Sequence, residues 1–235
     1  MSTFKFKYFS VQQSKEIHRV GTDAMVLGAL VSEEIQPRSI LDIGTGSGVL
    51  ALMVAQRFSH SQVFGVEKNP IACDLAKLNF ESCSFQNQPE LIASSFQEYV
   101  QSTGNKFDLI ISNPPFFKSS TPAKGDERNM ARHQNSLTIE DLLNGVEQIL
   151  SPEGSFWVIL PQDQAQLLLG LNSHLKLHKR IQIYGKPGNH VRDVLRLSFL
   201  EIEESVAEQL VIRDENGEYS AVYKTMTRDF HGVSL

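Results

Sequence analysis

The segment Ile40-Leu41-Asp42-Ile43-Gly44-Thr45-Gly46-Ser47-Gly48-Val49-Leu50 constrains this chain more than any other, because it runs an apolar strand into a glycine-rich turn and then into a helix. Without a Cβ, glycines at 44, 46 and 48 let the backbone pass close to a ligand and turn N–H groups toward it at a helix start. The spacing argues against one ligand class. A dinucleotide-binding turn needs its third glycine three positions after the second, where this chain has Val49. The third glycine stands at 48 instead, and Asp42 sits just before the turn, where an acid can bind an ammonium or hydroxyl group rather than receive a diphosphate. A second strand, Gln62-Val63-Phe64-Gly65-Val66-Glu67, ends in a carboxylate suited to gripping the two hydroxyls of a ribose. Taken alone, Glu67 reads equally as a solvated strand-end charge.

A third apolar run, Phe107-Asp108-Leu109-Ile110-Ile111-Ser112, reads as a buried parallel strand and leads into Asn113-Pro114-Pro115-Phe116. Two successive prolines fix φ near −65° and remove two backbone donors, so the loop offers carbonyl acceptors and almost no N–H groups. The Asn113 side-chain oxygen and the Pro114 carbonyl can together accept both protons of a conjugated –NH2, which frees the lone pair of that nitrogen. Phe116 supplies a face on which a flat ring can stack. An isolated Asn-Pro-Pro can also simply end a strand; the glycine-rich turn upstream weighs against that.

Hydrophobic periods organise the rest. Residues 1–35 form an N-terminal extension that mixes aromatic and basic residues and ends in an apolar stretch at helical spacing, Ala24 to Val31; residues 36–235 form one domain. Helices are expected near Gly48–Phe58, Pro70–Phe80, Thr138–Leu150 and Asp163–Leu171, with Pro70 in a first turn and Gly154 closing the third. Strands are expected near 39–43, 62–67, 89–94, 107–112, 154–160, 177–184 and 191–200. Alternation of the two types implies an α/β fold, a mostly parallel seven-stranded sheet with helices on both faces. The last two strands, joined by Gly185–His190, are too close for a crossover helix and should form an antiparallel hairpin. In such a sheet a ligand lies beyond the carboxyl ends of the strands at the switch in strand order, so the glycine turn, Glu67 and Asn113 should share one crevice.

No run approaches the ~18 apolar residues of a membrane span, and Lys5 and Lys7 precede no apolar core, so a soluble cytoplasmic protein is expected. The two cysteines, Cys73 and Cys83, lack a Cys-x-x-Cys spacing or a histidine cluster, which indicates neither a disulfide framework nor a metal. A formal charge of −5 argues against a surface coated for nucleic acid, but its distribution is uneven. Lys176, Lys179, Arg180, Lys186, Arg192 and Arg196 oppose only Asp193 in one stretch, and Lys118, Lys124, Arg128, Arg132 and His133 follow the Asn-Pro-Pro loop. These are candidate phosphate contacts, with a solvated charged face as the plainer alternative. The downstream run Glu201, Glu203, Glu204, Glu208, Asp214, Glu215 and Glu218 reverses the sign.

With its glycine turn, Glu67 and Asn113-Pro114-Pro115-Phe116, the chain resembles a class I, Rossmann-like S-adenosylmethionine-dependent methyltransferase of the amino-methylating kind. More narrowly, Phe9-Ser10-Val11-Gln12-Gln13, Val20-Gly21-Thr22-Asp23-Ala24-Met25-Val26-Leu27-Gly28-Ala29 and Asp229-Phe230-His231-Gly232 resemble the bacterial tRNA adenine-N6 methyltransferases that act on valine tRNA. The resemblance implies S-adenosyl-L-methionine as cofactor, a tRNA as partner and the adenine beside the anticodon, position 37 of the tRNA, as target. It implies catalysis at Asn113, Pro114, Pro115 and Phe116. It also implies cofactor contacts from Asp42, Gly44, Thr45, Gly46, Gly48, Glu67 and Asn113, with Ser94 and Ser95 at the cofactor adenine in place of the family's more usual acid. Thr22 and Asp23 would close over the methionine end, although Asp23 could equally cap a helix. RNA contacts would come from Lys118, Arg128, Arg132, His133, Arg180, Lys186 and Arg192. The same tetrad serves N5-methylation of a protein glutamine or N2-methylation of a guanine in ribosomal RNA. Outside that chemistry stand a non-catalytic cofactor-binding module, which the intact Asn113 tetrad disfavours, and an oxidoreductase-type Rossmann domain, which the glycine spacing disfavours.

Overall fold

Three apolar runs lie side by side at the centre of the computed structural model, which describes residues 2–17, 19–114 and 137–231. They are β3 (Ser39–Ile43), β4 (Gln62–Glu67) and β6 (Phe107–Ser112). Parallel strands covered on both faces carry apolar residues nearly throughout, and here they do: Ile40, Leu41, Ile43, Leu109, Ile110 and Ile111 are at most 1% exposed. The sheet continues through β5 (Glu90–Ala93) on one side and β7 (Leu150–Leu160), β9 (His190–Ser198), β8 (Lys176–Tyr184) and β10 (Val206–Val211) on the other. The order is β10-β8-β9-β7-β6-β3-β4-β5, with β9 antiparallel to β7 and β8 and every other pairing parallel.

The fold is thus the expected Rossmann-like α/β sheet with its antiparallel hairpin, but among the described residues it has an eighth strand. β10 is the reason for the difference. It is an edge strand whose exposed Glu208 interrupts an apolar alternation and whose approach is crowded with Glu201, Glu203 and Glu204. Its acids answer the bases of its neighbour: Glu208 meets Lys179 at 2.8 Å, and Glu201 meets Lys176 at 3.5 Å. Such exposed ion pairs stabilise by about 0–1 kcal/mol each and complement the backbone pairing of β10 with β8.

Alternate side chains of the strands feed two cores. On one face, Ile40, Leu109, Ile111, Trp157 and Ile159 pack with α1 (Thr22–Leu30), α2 (Val49–Arg57), part of α3 (Pro70–Ser82) and α7 (Ala221–Thr227). On the other, Leu41, Ile43, Ile110, Phe156 and Val158 pack with α4 (Phe96–Ser102), α5 (Ile139–Ile149) and α6 (Gln162–Gly170). The N-terminal residues join the first core. β1 (Ser2–Lys5) and β2 (Ser10–Gln13) pair as a hairpin, and Phe6, Phe9 and Val11 are buried beside the helices.

Helix boundaries follow capping chemistry. Asn69 accepts from Ile71 N with Pro70 at the first turn of α3, and Thr138 and Asp141 form a capping box for α5. α4 escaped the periodic reading, being only seven residues long, yet Ser95-Phe96-Gln97-Glu98 carries the capping-box signature and the box forms. Gly154 does not close α5. That helix ends at Ile149 and Gly154 lies within β7, where a Cβ would stand 2.9 Å from Phe107 O, so the glycine permits two backbones to approach. Asp23 lies in the first turn of α1, whose N-cap is Gly21.

One glycine of the sheet bears directly on the turn after β3. A Cβ on Gly65 of β4 would lie 2.7 Å from Thr45 Oγ1 and 2.8 Å from Thr45 Cγ2. Thr45 is buried, β-branched and held by a hydrogen bond, so it cannot swing away. Gly65→Ala gains roughly 0.5–1 kcal/mol of strand preference and loses roughly 1–3 kcal/mol to overpacking. Net destabilisation by about 1–2 kcal/mol is expected in urea unfolding; a variant as stable as the parent would show that the turn yields freely.

Candidate functional site

The strand register brings the proposed groups to one level. Ile43 of β3 lies opposite Val66 of β4 and opposite Ser112 of β6, so Gly44, Glu67 and Asn113 leave the carboxyl edge of three adjacent strands. Adjacent strands are about 4.8 Å apart, which places the three groups within one small-molecule length. Ser112 Oγ donates to Ile43 O at 3.0 Å and locks that level on the β6 side. Ala93 lies opposite Glu67, so Ser94 and Ser95 follow one strand farther out.

The glycine turn is pinned on every side except the open one. Gly44 N and Thr45 N both donate to Val66 O, at 2.9 and 3.1 Å. Gly44, Gly46 and Gly48 all adopt positive φ, at 71°, 57° and 82°, which other residues rarely adopt. They do different work. Gly44 is exposed with nothing within 4 Å of its virtual Cβ, Gly46 is half-buried, and Gly48 is packed so tightly that a Cβ would come within 2.4 Å of Phe80. Gly44 and Gly46 therefore line the open side, and Gly48 lets α3 close on the turn.

Asp42 is not a wall of the crevice. It is 1% exposed, and its Oδ2 accepts from Thr45 Oγ1 at 2.6 Å and from Ala51 N at 3.2 Å, bracing the turn and the start of α2 from beneath. Asp42 points to this side because Ile40, two residues earlier on the same face, packs against α2. Burial is the main force that pushes its carboxyl up to about 7, opposed by those two hydrogen bonds and reinforced by nearby Glu67; Oδ1 is buried without a partner. Thr45, 5% exposed, likewise spends its hydroxyl internally.

Half-buried Glu67 presents its carboxylate at the edge. Oε2 accepts from Gly46 N at 3.0 Å, and Oε1 accepts from Lys68 N and Asn69 N at 2.9 and 2.8 Å. A carboxylate has about four lone-pair sites, so three are engaged; gripping both hydroxyls of a ribose requires release of one amide. Ser94 N donates to Glu67 O, whereas Ser95 uses its hydroxyl to cap α4. Asn113 is half-buried and Pro114 buried at the end of β6. Pro115, Phe116, Lys118, Arg128, Arg132 and His133 lie outside the described residues.

Of the remaining basic candidates the structure separates one from two. Lys186 is exposed at the tip of the β8–β9 hairpin, at the carboxyl edge, in no ion pair with a described residue. Arg180 instead forms a two-pronged pair with fully buried Asp193, Nε–Oδ1 3.0 Å and Nη2–Oδ2 3.1 Å, with His190 3.3 Å from the same acid. Arg192 binds Asp23 at 2.8 Å and so ties the start of α1 to β9. Each of these two arginines is thus paired with a carboxylate, while about a quarter of its side chain stays exposed. Thr22 is exposed beside Asp23.

Sequence reading passed over the groups that hold the site together from behind. Asn79 is 0% exposed on α3 and bonds to both Gln12 and the glycine turn. Its signal was an amide in the apolar stripe Ala72, Leu75, Ala76, Phe80. Among the described residues no helix is long and apolar enough to cross a membrane, and no cluster of metal-ligating side chains occurs.

Residues 14–184 match the family described as "Methyltransferase small domain". A protein of Bacteroides thetaiotaomicron named tRNA1(Val) (adenine(37)-N6)-methyltransferase is 36% identical over 97% of this chain and 96% of its own. A protein of the same name from Flavobacterium johnsoniae is 32% identical over 97% and 98%. Among solved structures, one titled a predicted O-methyltransferase from Agrobacterium tumefaciens superposes with a TM-score of 0.69 at 16% identity, over 90% of this chain and 98% of that one. TrmK of M. capricolum, solved with S-adenosyl-homocysteine, gives 0.53 at 15% identity over 80% and 71%. At such identities the structures speak for the fold alone.

Two outcomes follow from the braces. Because the folded state holds the Asp42 proton to about pH 7 and an unfolded chain releases it near 3.8, folding binds a proton in that window, and stability falls as pH rises through it. Asp42→Asn keeps an acceptor for Thr45 and Ala51 and cannot ionise, so its stability relative to the parent should climb by up to about 4 kcal/mol across the window. Urea unfolding at several pH values reads that slope, whatever constant offset the buried amide adds; parallel pH curves would contradict it. Arg180→Ala should cost about 3 kcal/mol, since it leaves Asp193 buried with only His190, and replacing both by Met and Leu should recover most of the loss.

Proposed function

The chain belongs to the methyltransferase small-domain family and groups there with the tRNA1(Val) (adenine(37)-N6)-methyltransferases, and from that premise we propose that it methylates the N6 amine of adenine 37 in valine tRNA with S-adenosyl-L-methionine as donor. The observation that carries this reading is the level register of β3 and β6, which sets the acceptors of Asn113 and Pro114 one strand away from the open glycines. We further infer a cytoplasmic location, where tRNA is modified.

The residues present fit the cofactor. Gly44 and Gly46 offer a cradle without side chains, and Glu67 offers a half-buried carboxylate with a lone pair to spare. S-adenosylmethionine, when bound, supplies a methyl already activated on a sulfonium. The chain's own work is then positioning and electrostatics. Asn113 accepts one proton of the target amine through its side-chain oxygen, and Pro114 accepts the other through its carbonyl. As positive charge develops on that nitrogen its protons become more acidic, so both hydrogen bonds strengthen in the transition state. No group need be ionised beforehand. Neither proline of the pair carries a backbone N–H that would repel the protons of the amine. The adenine must leave the anticodon loop to reach this edge, and an unpaired loop base does so at small cost.

The test is transfer of labelled methyl to separated tRNA, ribosomal RNA and protein fractions from cells lacking this gene, followed by nucleoside and amino-acid analysis. Label in N6-methyladenosine of valine tRNA is expected; label in protein glutamine or in ribosomal guanine would overturn the reading. In single-turnover assays with saturating cofactor and tRNA, Asn113→Ala should cut the chemical step by about 10²–10³-fold, the scale of one lost transition-state hydrogen bond. Asn113→Asp keeps an acceptor and should retain much more activity than the isosteric but non-accepting Asn113→Leu. Equal rates for Asp and Leu would refute acceptance by the side chain.

A further inference from the structure

Asn79 is enclosed on the apolar face of α3, and the three hydrogen bonds of its side chain all go to backbone. Its Oδ1 accepts from Gln12 N at 2.7 Å, and its Nδ2 donates to Gln12 O at 3.1 Å and to Ser47 O at 2.8 Å. One amide therefore satisfies both main-chain groups of a β2 residue and one carbonyl inside the glycine turn. The neighbouring Phe80 abuts Gly48, so consecutive residues of α3 hold the turn.

From Gln12 the chain leads to the start of α1, which carries Thr22 and Asp23. Gln13 Oε1 accepts from Val20 N at 3.0 Å, which fixes the chain just before Gly21, the N-cap of α1. Two residues on, Asp23 is held by Arg192. The glycine turn and the segment carrying Thr22 and Asp23 are thus linked through the Asn79 amide, the main chain of β2 and the Gln13 side chain, in addition to the packing of α1 on α2.

We infer that Asn79 is a positioning residue for the cofactor site, fixing the spacing between the glycine turn and the N-terminal segment that borders it. This rests on the methyltransferase reading. A buried amide with three partners also contributes to stability, so the decisive property is what its loss does beyond stability. Asn79→Asp keeps the shape and the acceptor but turns an oxygen toward the carbonyls of Gln12 and Ser47, breaking both donated bonds. Asn79→Ser is shorter and loses the same two bonds without adding charge. Leu75→Ala, buried on the same helix, lowers stability without touching this network.

Calorimetry with S-adenosylmethionine should show affinity weakened by about tenfold or more in the Asn79 variants, and amide hydrogen exchange in cofactor-free protein should quicken at Gln12, Val20 and Gly46. KM for the cofactor should rise while kcat at saturation changes by less than about threefold. Leu75→Ala should leave affinity and those amides alone even where its unfolding midpoint falls as far. Parental affinity and exchange in a folded Asn79 variant overturn the inference, as does an equal loss of affinity in Leu75→Ala. Failure of both Asn79 variants to fold makes the residue a plain core group and overturns it too. A parent protein that binds no S-adenosylmethionine refutes the functional reading instead, which keeps the two failures distinct.

Discussion

Parallel pairing of β3 along both its edges is the interaction on which the site depends. Ile43 faces Val66 on one side and Ser112 on the other, so the chain's three departures from the sheet, at Gly44, Glu67 and Asn113, occur at one height. A shift of one residue in either register would turn every side chain of a strand to the opposite face and lift one group out of the crevice. The two-sided core opposes such slips, because Ile40 and Leu41 are buried on opposite faces and neither can be exchanged for the other.

The glycine turn itself is soft and owes its shape to what lies around it. Three residues at positive φ gain little from local preference, so outside groups supply the order: Val66 O, the Asp42 carboxylate, Gly46 N held by Glu67, and Ser47 O held by Asn79. The arrangement costs stability at Asp42, whose burial raises its carboxyl to about 7 while Glu67 stands nearby. Functional sites commonly retain such unfavourable terms because the surrounding core over-determines them.

Charge was the part of the chain that linear reading served least well. The run from Lys176 to Arg196 looks like an anion-binding strip when written out, yet folding distributes it along two antiparallel strands among acids. Arg180 meets Asp193, Arg192 meets Asp23, Arg196 meets Glu33 at 2.8 Å, and Lys179 meets Glu208. Asp193 stands in the same stretch, but the partners of Arg192 and Arg196 lie 169 and 163 positions away, beyond any window of sequence. The short elements were hidden for related reasons. β10 carries charges that blur its period, and α4 spans too few residues for a helical stripe, although its capping box was there to be seen.

By itself the sequence determined the alternation of strands and helices, the position of the glycine turn, the acid at the end of β4 and the Asn-Pro pair at the end of β6. Each of these is local: apolar period, proline geometry and the absence of a Cβ act within a few residues. Tertiary structure decided which of these residues are exposed at the carboxyl edge of the sheet. Asp42 and Thr45 look like ligand groups in the motif and prove to be its foundations, because alternation along β3 turns Asp42 toward α2. Asn79 looks like an ordinary helix residue and proves to tie the turn to Gln12, 67 positions away. Hydrogen bonds act over about 3 Å of space whatever the distance along the chain, so only the folded arrangement could assign them.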